Sequence, residues 1–116
     1  MGMTPGSHKN SRHLPAFILL FLAEQPASGA ELMEQMEAAM PHFLADSAGV
    51  YRALQALEKS GALETTWEPR SAGTPRKIYR TTAKGRAALQ DFADEIRMRQ
   101  ENFRFFLERL GRVGQA

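Results

Sequence analysis

The residues with the clearest chemical potential are cations between positions 70 and 86 that no acidic residue interrupts: Arg70, Arg76, Lys77, Arg80, Lys84 and Arg86. The whole chain has a formal net charge of only +2, so this positive charge is local. Clustered guanidinium and ammonium groups suit a surface that binds phosphates. Two β-prone runs, residues 63 to 68 and 77 to 81, flank a segment rich in turn residues, which predicts a hairpin with a tight tip. We call this hairpin the wing.

A second set of polar residues is predicted to share one face of a helix. Asp46 or Ser47 can cap a helix that runs to about Ser60, with Gly61 at the position that favours a left-handed residue. Four-residue spacing gives this helix an outer face of small, aromatic, cationic and amide side chains: Ser47, Tyr51, Arg52 and Gln55. Small residues allow close approach to a DNA groove, Gln and Arg can read base edges, and Tyr and Ser can bind phosphates. For this helix considered alone, the alternative to a DNA-binding face is an amphipathic helix whose polar face only contacts solvent.

Helical periodicity and capping signals predict the elements that position these two sets. Residues 14 to 23 form an apolar helix that is about half the roughly 20 residues needed to cross a bilayer and contains Pro15, so it is predicted to lie in the core. Ser28 and Glu31 have the spacing of a capping box that opens a second helix, which Pro41 ends. The third helix follows and directly precedes the wing. We therefore predict a mainly α fold with a small β-hairpin (α+β).

Length and composition favour a single compact unit. The chain has 116 residues, of which 43% are hydrophobic and 24% charged, as in ordinary globular domains. We predict a flexible arm over residues 1 to 12, a winged helix-turn-helix domain over residues 13 to 81 and a C-terminal dimerisation helix over residues 82 to 116. The sequence contains no cysteine, which suits a reducing compartment and makes the cytoplasm the expected location.

The last predicted helix carries an apolar seam with alternating steps of three and four residues. Apart from Arg99, which interrupts it, the seam consists of Leu89, Phe92, Ile96, Phe103, Phe106 and Leu110. A helix from about residue 83 to 109 would be roughly 40 Å long at about 1.5 Å per residue. The wing domain can cover its first half, whereas the second half needs another chain. The sequence thus predicts a homodimer, with Arg99 setting register or paired with Glu95 or Glu101.

Four short motifs occur in a fixed order along the chain. They are Gly49-Val50-Tyr51, Leu57-Glu58-Lys59-x-Gly61, Pro75-Arg76-Lys77-x-Tyr79-Arg80 and Thr82-x-x-Gly85-Arg86. Over roughly residues 14 to 90 the sequence resembles the PadR family of winged-helix transcriptional regulators. The resemblance implies a repressor that binds near-palindromic operators as a dimer, with its last helix packed against the first helix of the partner. Arg52 and Ala83 stand where many members carry proline, so Arg52 is expected to alter which operator is read.

The combined prediction is a transcriptional regulator that binds double-stranded DNA as a homodimer. Its third helix would enter the major groove through Ser47, Tyr51, Arg52 and Gln55. Arg76 and Lys77 of the wing would reach phosphates or the adjacent minor groove. The alternative is a winged-helix protein-interaction module whose basic wing docks an acidic partner.

Neither catalysis nor a cofactor or metal site is predicted. His8, His13 and His42 are isolated, and the sequence has no H-x-x-x-H pair and no G-x-S-x-G elbow. Multidrug-responsive relatives hold planar aromatic ligands against a tryptophan of the last helix, but here Ile96 takes that place and Trp67 lies on the wing. A small aromatic effector is left as a candidate partner, in a pocket lined by Phe17, Phe21, Phe92, Ile96 and Phe103. Seven phenylalanines in a chain of this size more often indicate a core.

Overall fold

The computed structural model describes residues 12 to 114, which form four helices and a three-stranded antiparallel sheet. The helices are α1 (Leu14–Glu24), α2 (Gly29–Ala39), α3 (Ser47–Ser60) and α4 (Ala83–Gly114), and the strands are β1 (Ala27–Ser28), β2 (Leu63–Glu68) and β3 (Arg76–Thr81). This architecture confirms the predicted mainly α fold with a small β component. The predicted arm over residues 1 to 12, with His8, lies outside the described residues except for Arg12.

Helix α1 forms the centre of the hydrophobic core. Ile18, Leu19 and Leu22 are fully buried, and α1 packs against α2, α3, α4 and β3. The sequence predicted that α1 lies in the core, which the burial of these residues confirms, but Leu20 is 44% exposed, so one side of the helix is open. The rest of the core comes from the other helices and the sheet, mainly through Leu32, Met36, Val50, Leu54, Leu63 and Tyr79.

The ends of α2 and α3 follow local signals in the sequence. Ser28 Oγ accepts a hydrogen bond from the Glu31 backbone N–H at 3.2 Å, and Glu31 Oε1 accepts one from the Ser28 N–H at 3.0 Å, which confirms the capping box. Asp46, one of the two predicted candidates, caps α3 by accepting from the Gly49 N–H at 2.8 Å. Gly61 ends α3 with φ of 88°, a conformation that disfavours side chains.

The wing is part of a larger sheet than the predicted hairpin. Strands β2 and β3 pair from Leu63 opposite Thr81 to Glu68 opposite Arg76. Strand β1, between α1 and α2, pairs with the other edge of β3, so that β3 is central. The sequence did not indicate β1, because a strand of two residues is too short to show alternation.

Helix α4 starts in close contact with the wing domain and then leaves it. A Cβ atom at Gly85 would lie 2.4 Å from the carbonyl oxygen of Ala62 and 2.7 Å from Thr81 Cγ2, so glycine is required at this crossing. The helix continues to Gly114, the last described residue, and so fills most of the predicted segment from residue 82 to 116. Its projection makes the molecule 65 Å long and 27 Å wide. Every residue from 100 to 114 is exposed.

Candidate nucleic-acid interface

The predicted groove face of α3 is exposed in the structure. All of its proposed contact residues are accessible to solvent: Ser47, Tyr51, Arg52 and Gln55. The ring of Tyr51 packs over α2, since a Cβ atom at Gly29 would lie 2.6 Å from Tyr51 Cε1. Glycine at the start of α2 therefore leaves room for the tyrosine ring against that helix. The structure brings the four residues together on one surface, and their contact with DNA stays a prediction.

Arg76 lies where β3 meets α2, and its guanidinium binds two carboxylates. It forms ion pairs with Glu31 of α2 and with Glu68, its cross-strand neighbour in β2. The Nε–H also donates to Glu68 Oε1 at 3.1 Å. These hydrogen bonds, to Glu68 first and to Glu31 second, raise the pKa of Arg76. The pKa of Glu31 is lowered, mainly by the Ser28 backbone N–H and also by Arg76.

Lys77 is tied to α3 in a similar way. Its Nζ lies 3.1 Å from Glu58 Oε1 and 5.3 Å from the centre of the Tyr79 ring. Glu58 Oε2 also accepts a hydrogen bond from Thr65 Oγ1 at 3.1 Å. The hydrogen bond between Lys77 and Glu58 is the largest cause of two pKa shifts, raising that of Lys77 and lowering that of Glu58.

These contacts change the interpretation of the cations between residues 70 and 86. No acid lies between residues 70 and 86 in the sequence, but the fold brings Glu31, Glu58 and Glu68 to this segment from three other elements. Arg76 and Lys77 are therefore neutralised within the chain and hold the wing against α2 and α3. Their direct binding to phosphates would require exchange of these carboxylates, and it stays a prediction.

Other cations near α3 and the wing form no ion pair with any residue between 12 and 114. Arg52 and Lys59 lie on α3, Arg70 at the wing tip and Arg86 in the first turn of α4. Lys84 donates from Nζ to the Ser60 carbonyl oxygen at 2.6 Å instead of binding an acid. The positive charge available to a ligand therefore lies beside the groove face and at the tip of the wing.

The predicted dimerisation seam divides into a packed half and an exposed half. Leu89 and Phe92 are half-buried and pack against the core of the same chain. Ile96 is 37% exposed, and the remaining seam residues are at least half exposed: Phe103, Phe106 and Leu110. An open apolar groove between α1 and α4 continues the seam and includes Phe17, Leu20 and Phe92. This is the division that the sequence predicted.

Polar residues cross the groove near the middle of α4. Arg99 Nε lies 3.2 Å from Glu95 Oε2, one of the two acidic partners that the sequence predicted for it. His13 Nε2 lies 3.6 Å from the same carboxylate and has no hydrogen-bond partner among the described residues. These side chains lie beside Phe17 and Phe103, so a partner helix that covered the seam would also cover this polar cluster.

The residues proposed for a small aromatic effector do not enclose a cavity in this chain. Phe17, Phe92 and Ile96 line the open groove, Phe103 lies farther along it, and Phe21 is not part of its lining. Trp67 lies on β2 and is 62% exposed. Within residues 12 to 114, no group of acidic or histidine side chains has the arrangement of a metal site, and no helix is long and apolar enough to span a membrane.

The fold and the exposed face of α3 define the class of protein. Helices α2 and α3 meet at the contact between Gly29 and Tyr51, and a two-stranded wing follows α3 directly. This is the arrangement of a winged helix-turn-helix protein, in which the second helix of the pair presents its outer face.

Comparison with known proteins identifies the family. The family model described as "Transcriptional regulator PadR-like family" matches residues 18–91. An uncharacterised protein from Lysinibacillus sphaericus is 30% identical over 99 residues, which cover 84% of this chain and 91% of that protein. The chain therefore belongs to the PadR-like family, as the motifs indicated, and is a DNA-binding transcriptional regulator by class.

Solved structures agree with this assignment. A conserved protein of unknown function, described as a potential transcriptional factor, is 31% identical with a TM-score of 0.75, and the match covers 100% of this chain and 99% of that one. A PadR-like transcriptional regulator from Bacillus cereus is 25% identical with a TM-score of 0.73, over 87% of this chain and 97% of that one. Both similarities extend beyond the wing domain into α4.

Proposed function

We propose that the chain is a repressor that binds a near-palindromic operator as a homodimer. The observation that carries the DNA-binding part is the exposed face of α3, where Ser47, Tyr51, Arg52 and Gln55 lie together beside the wing. In this proposal the N-terminal half of α3 enters the major groove, and Gln55 and Arg52 form hydrogen bonds with base edges. Tyr51 and Ser47 bind phosphates that fix the position of the helix.

The proposed dimer rests on the exposed half of the α4 seam. Phe103, Phe106 and Leu110 project beyond the domain, and the apolar groove of α1 and α4 offers a complementary surface on a second copy. If a two-fold axis relates the two copies, as in most homodimers, each contact between them occurs twice. Two α3 helices related by that axis would require a symmetric operator with half-sites about one DNA turn apart.

In this proposal the dimer represses by occupying the operator, because it excludes other proteins from the same DNA. Arg76 and Lys77 act mainly by holding the wing beside α3, and they bind phosphates only by exchanging their carboxylates. A small aromatic effector is not included, since the groove that would hold it is the surface that the partner chain covers. The neutralised wing also offers less charge to an acidic protein partner than its sequence indicated.

Selection of bound fragments from random duplex DNA tests the proposal. The expected result is a two-fold symmetric consensus. Gln55→Ala should then lose about 1–3 kcal/mol of binding free energy on that consensus and little on random DNA, because base-edge hydrogen bonds discriminate between sequences. Enrichment of no sequence, together with retained binding to an acidic protein, would support the protein-interaction module instead.

A further inference from the structure

The wing carries an exposed aromatic residue whose role is not explained by the core. Trp67 is 62% exposed, although it is the largest apolar side chain of β2 and the only tryptophan of the protein. Burial of a tryptophan side chain contributes strongly to the stability of a core or an interface. An exposed tryptophan can therefore contribute binding free energy when a ligand covers it. Residues 12 to 114 leave most of this side chain exposed.

The position of Trp67 in the sheet shows which way it faces. Side chains alternate along a strand, so Leu63, Thr65 and Trp67 lie on the same face of β2. Leu63 is buried in the core, and Thr65 donates a hydrogen bond to Glu58 of α3. Trp67 therefore lies on the α3 side of the wing, near the tip.

The register places Trp67 beside the groove face. Trp67 is opposite Lys77, whose Nζ also binds Glu58. Two strand residues beyond Thr65 cover about 6.6 Å, which corresponds to about four residues along a helix. Because β2 runs back along α3 from the contact between Thr65 and Glu58, we place Trp67 about one turn before Glu58, near residues 54 and 55 of α3.

The neighbouring cation at the wing tip is available for binding. Arg70 is exposed and forms no ion pair among the described residues. Its guanidinium lies over Gly73, where a Cβ atom would be 4.0 Å from Arg70 Nη1. It follows Trp67 by three residues, so the Cα atoms of the two residues lie at most about 11 Å apart.

We propose that Trp67 and Arg70 form the contact between the wing and the DNA backbone. The indole packs against a deoxyribose at the edge of the groove that α3 occupies, its Nε1–H donates to a phosphate oxygen, and the Arg70 guanidinium binds a neighbouring phosphate. The contact is independent of sequence, and it fixes the angle at which α3 enters the groove. This inference rests on the proposed DNA-binding function and assigns the wing contact to residues other than Arg76 and Lys77.

The single tryptophan gives a direct readout of this contact. The wild-type protein is titrated with a fluorescently labelled random-sequence duplex of about 30 base pairs at low salt, long enough for two half-sites. Anisotropy of the label measures binding, while tryptophan emission and acrylamide quenching report on Trp67. We expect the emission to change and the access of acrylamide to fall in step with binding.

Variants separate the two side chains. Trp67→Ala should weaken binding about tenfold per protomer without changing the salt slope, because it removes an uncharged contact. Trp67→Phe keeps a ring and should lose less. Arg70→Ala should lower the slope of log K against log salt by about 0.9 per protomer, as expected for one phosphate contact. Thr66→Ala is the matched control, since Thr66 is exposed on the opposite face of the same strand.

The outcomes distinguish the inference from the function on which it rests. A complex that forms while Trp67 keeps its emission and its access to acrylamide overturns the wing contact and leaves DNA binding intact. Equal affinities of Trp67→Ala and Thr66→Ala do the same. If the wild-type protein does not bind the duplex at low salt, the proposed function fails and the inference fails with it.

Discussion

In the wing, the charged side chains of β3 bind carboxylates of the same chain, whereas in the second half of α4 the apolar side chains of the seam are mostly exposed. Arg76 and Lys77 contact acids from α2, α3 and β2. Phe103 and Phe106 are 63% and 60% exposed. The wing is therefore held in place by its own protomer before any ligand arrives. The described residues leave the apolar surface of α4 exposed, so the proposed DNA-binding region and the proposed dimerisation region lie in different parts of the chain.

The largest expected effect comes from removing the seam. Phe103→Ala combined with Phe106→Ala should dissociate the dimer at micromolar concentration, because truncation of a buried phenylalanine typically costs about 3–5 kcal/mol. Operator affinity should then fall by about 100-fold or more, since the two half-sites are no longer bound as a linked pair. Sedimentation velocity measures the mass of the species in solution.

The matched control for the seam is Phe105→Ala. Phe105 is 58% exposed, but it lies on the opposite side of α4 and contacts the Arg109 guanidinium at 4.8 Å from the ring centre. This variant should remain dimeric. If Phe105→Ala dissociates the protein while the double variant does not, the seam is on the wrong face of the helix.

A substitution at the start of α4 tests how tightly that end is held. Gly85→Ala should destabilise the protein by about 1–3 kcal/mol, because the added methyl group meets the Ala62 carbonyl oxygen and Thr81. Gly111→Ala, in the exposed half, meets no atom of its own protomer within 4 Å. It should leave the midpoint of denaturant unfolding unchanged or raise it. Loss of stability in both variants would show that the partner approaches α4 closely at position 111.

Because Arg76 and Lys77 are paired with carboxylates, we expect them to contribute little to the salt dependence of DNA affinity. Replacement of Arg76 and Lys77 by alanine should change the slope of log K against log salt by much less than the roughly 2 per protomer that two free phosphate contacts would give. The measurement is titration of a random-sequence duplex at several salt concentrations. A decrease near 2 would mean that both cations leave their carboxylates when DNA binds.

The smallest expected effect is on the pH dependence of stability. The pKa values of Glu31 and Glu58 are lowered in the folded chain. Such carboxylates stabilise the fold above their unfolded pKa, and this contribution is lost as the pH falls from about 5 through the folded values. Solvent screens both residues. The double variant Glu31→Gln with Glu58→Gln should therefore reduce the loss of unfolding free energy at acidic pH by no more than about 1 kcal/mol.

Denaturant unfolding at neutral and acidic pH measures that difference. Glu37→Gln is a suitable control, because Glu37 is an exposed residue of α2 that forms no ion pair among residues 12 to 114. If the double variant loses as much unfolding free energy at acidic pH as the wild-type protein, the ion pairs of the wing do not contribute to stability.

Local signals predicted the parts of the fold that depend on neighbouring residues. The capping box of Ser28 and Glu31, the glycine at the end of α3 and the two wing strands all involve groups close in sequence or in one hairpin. Strand β1 was missed, because it exists only through its pairing with β3.

The groove face of α3 and the apolar seam of α4 were both determined by the sequence, because helical spacing fixes which side chains share a face. The state of the wing cations was decided only by the tertiary structure. Glu31 lies 45 residues from Arg76, and Glu58 lies 19 residues from Lys77. Pairing over such distances depends on how α2 and α3 pack beside β3, which no local pattern encodes. The exposure of Trp67 on the α3 side of the wing has the same origin, since strand register and helix packing together leave it uncovered.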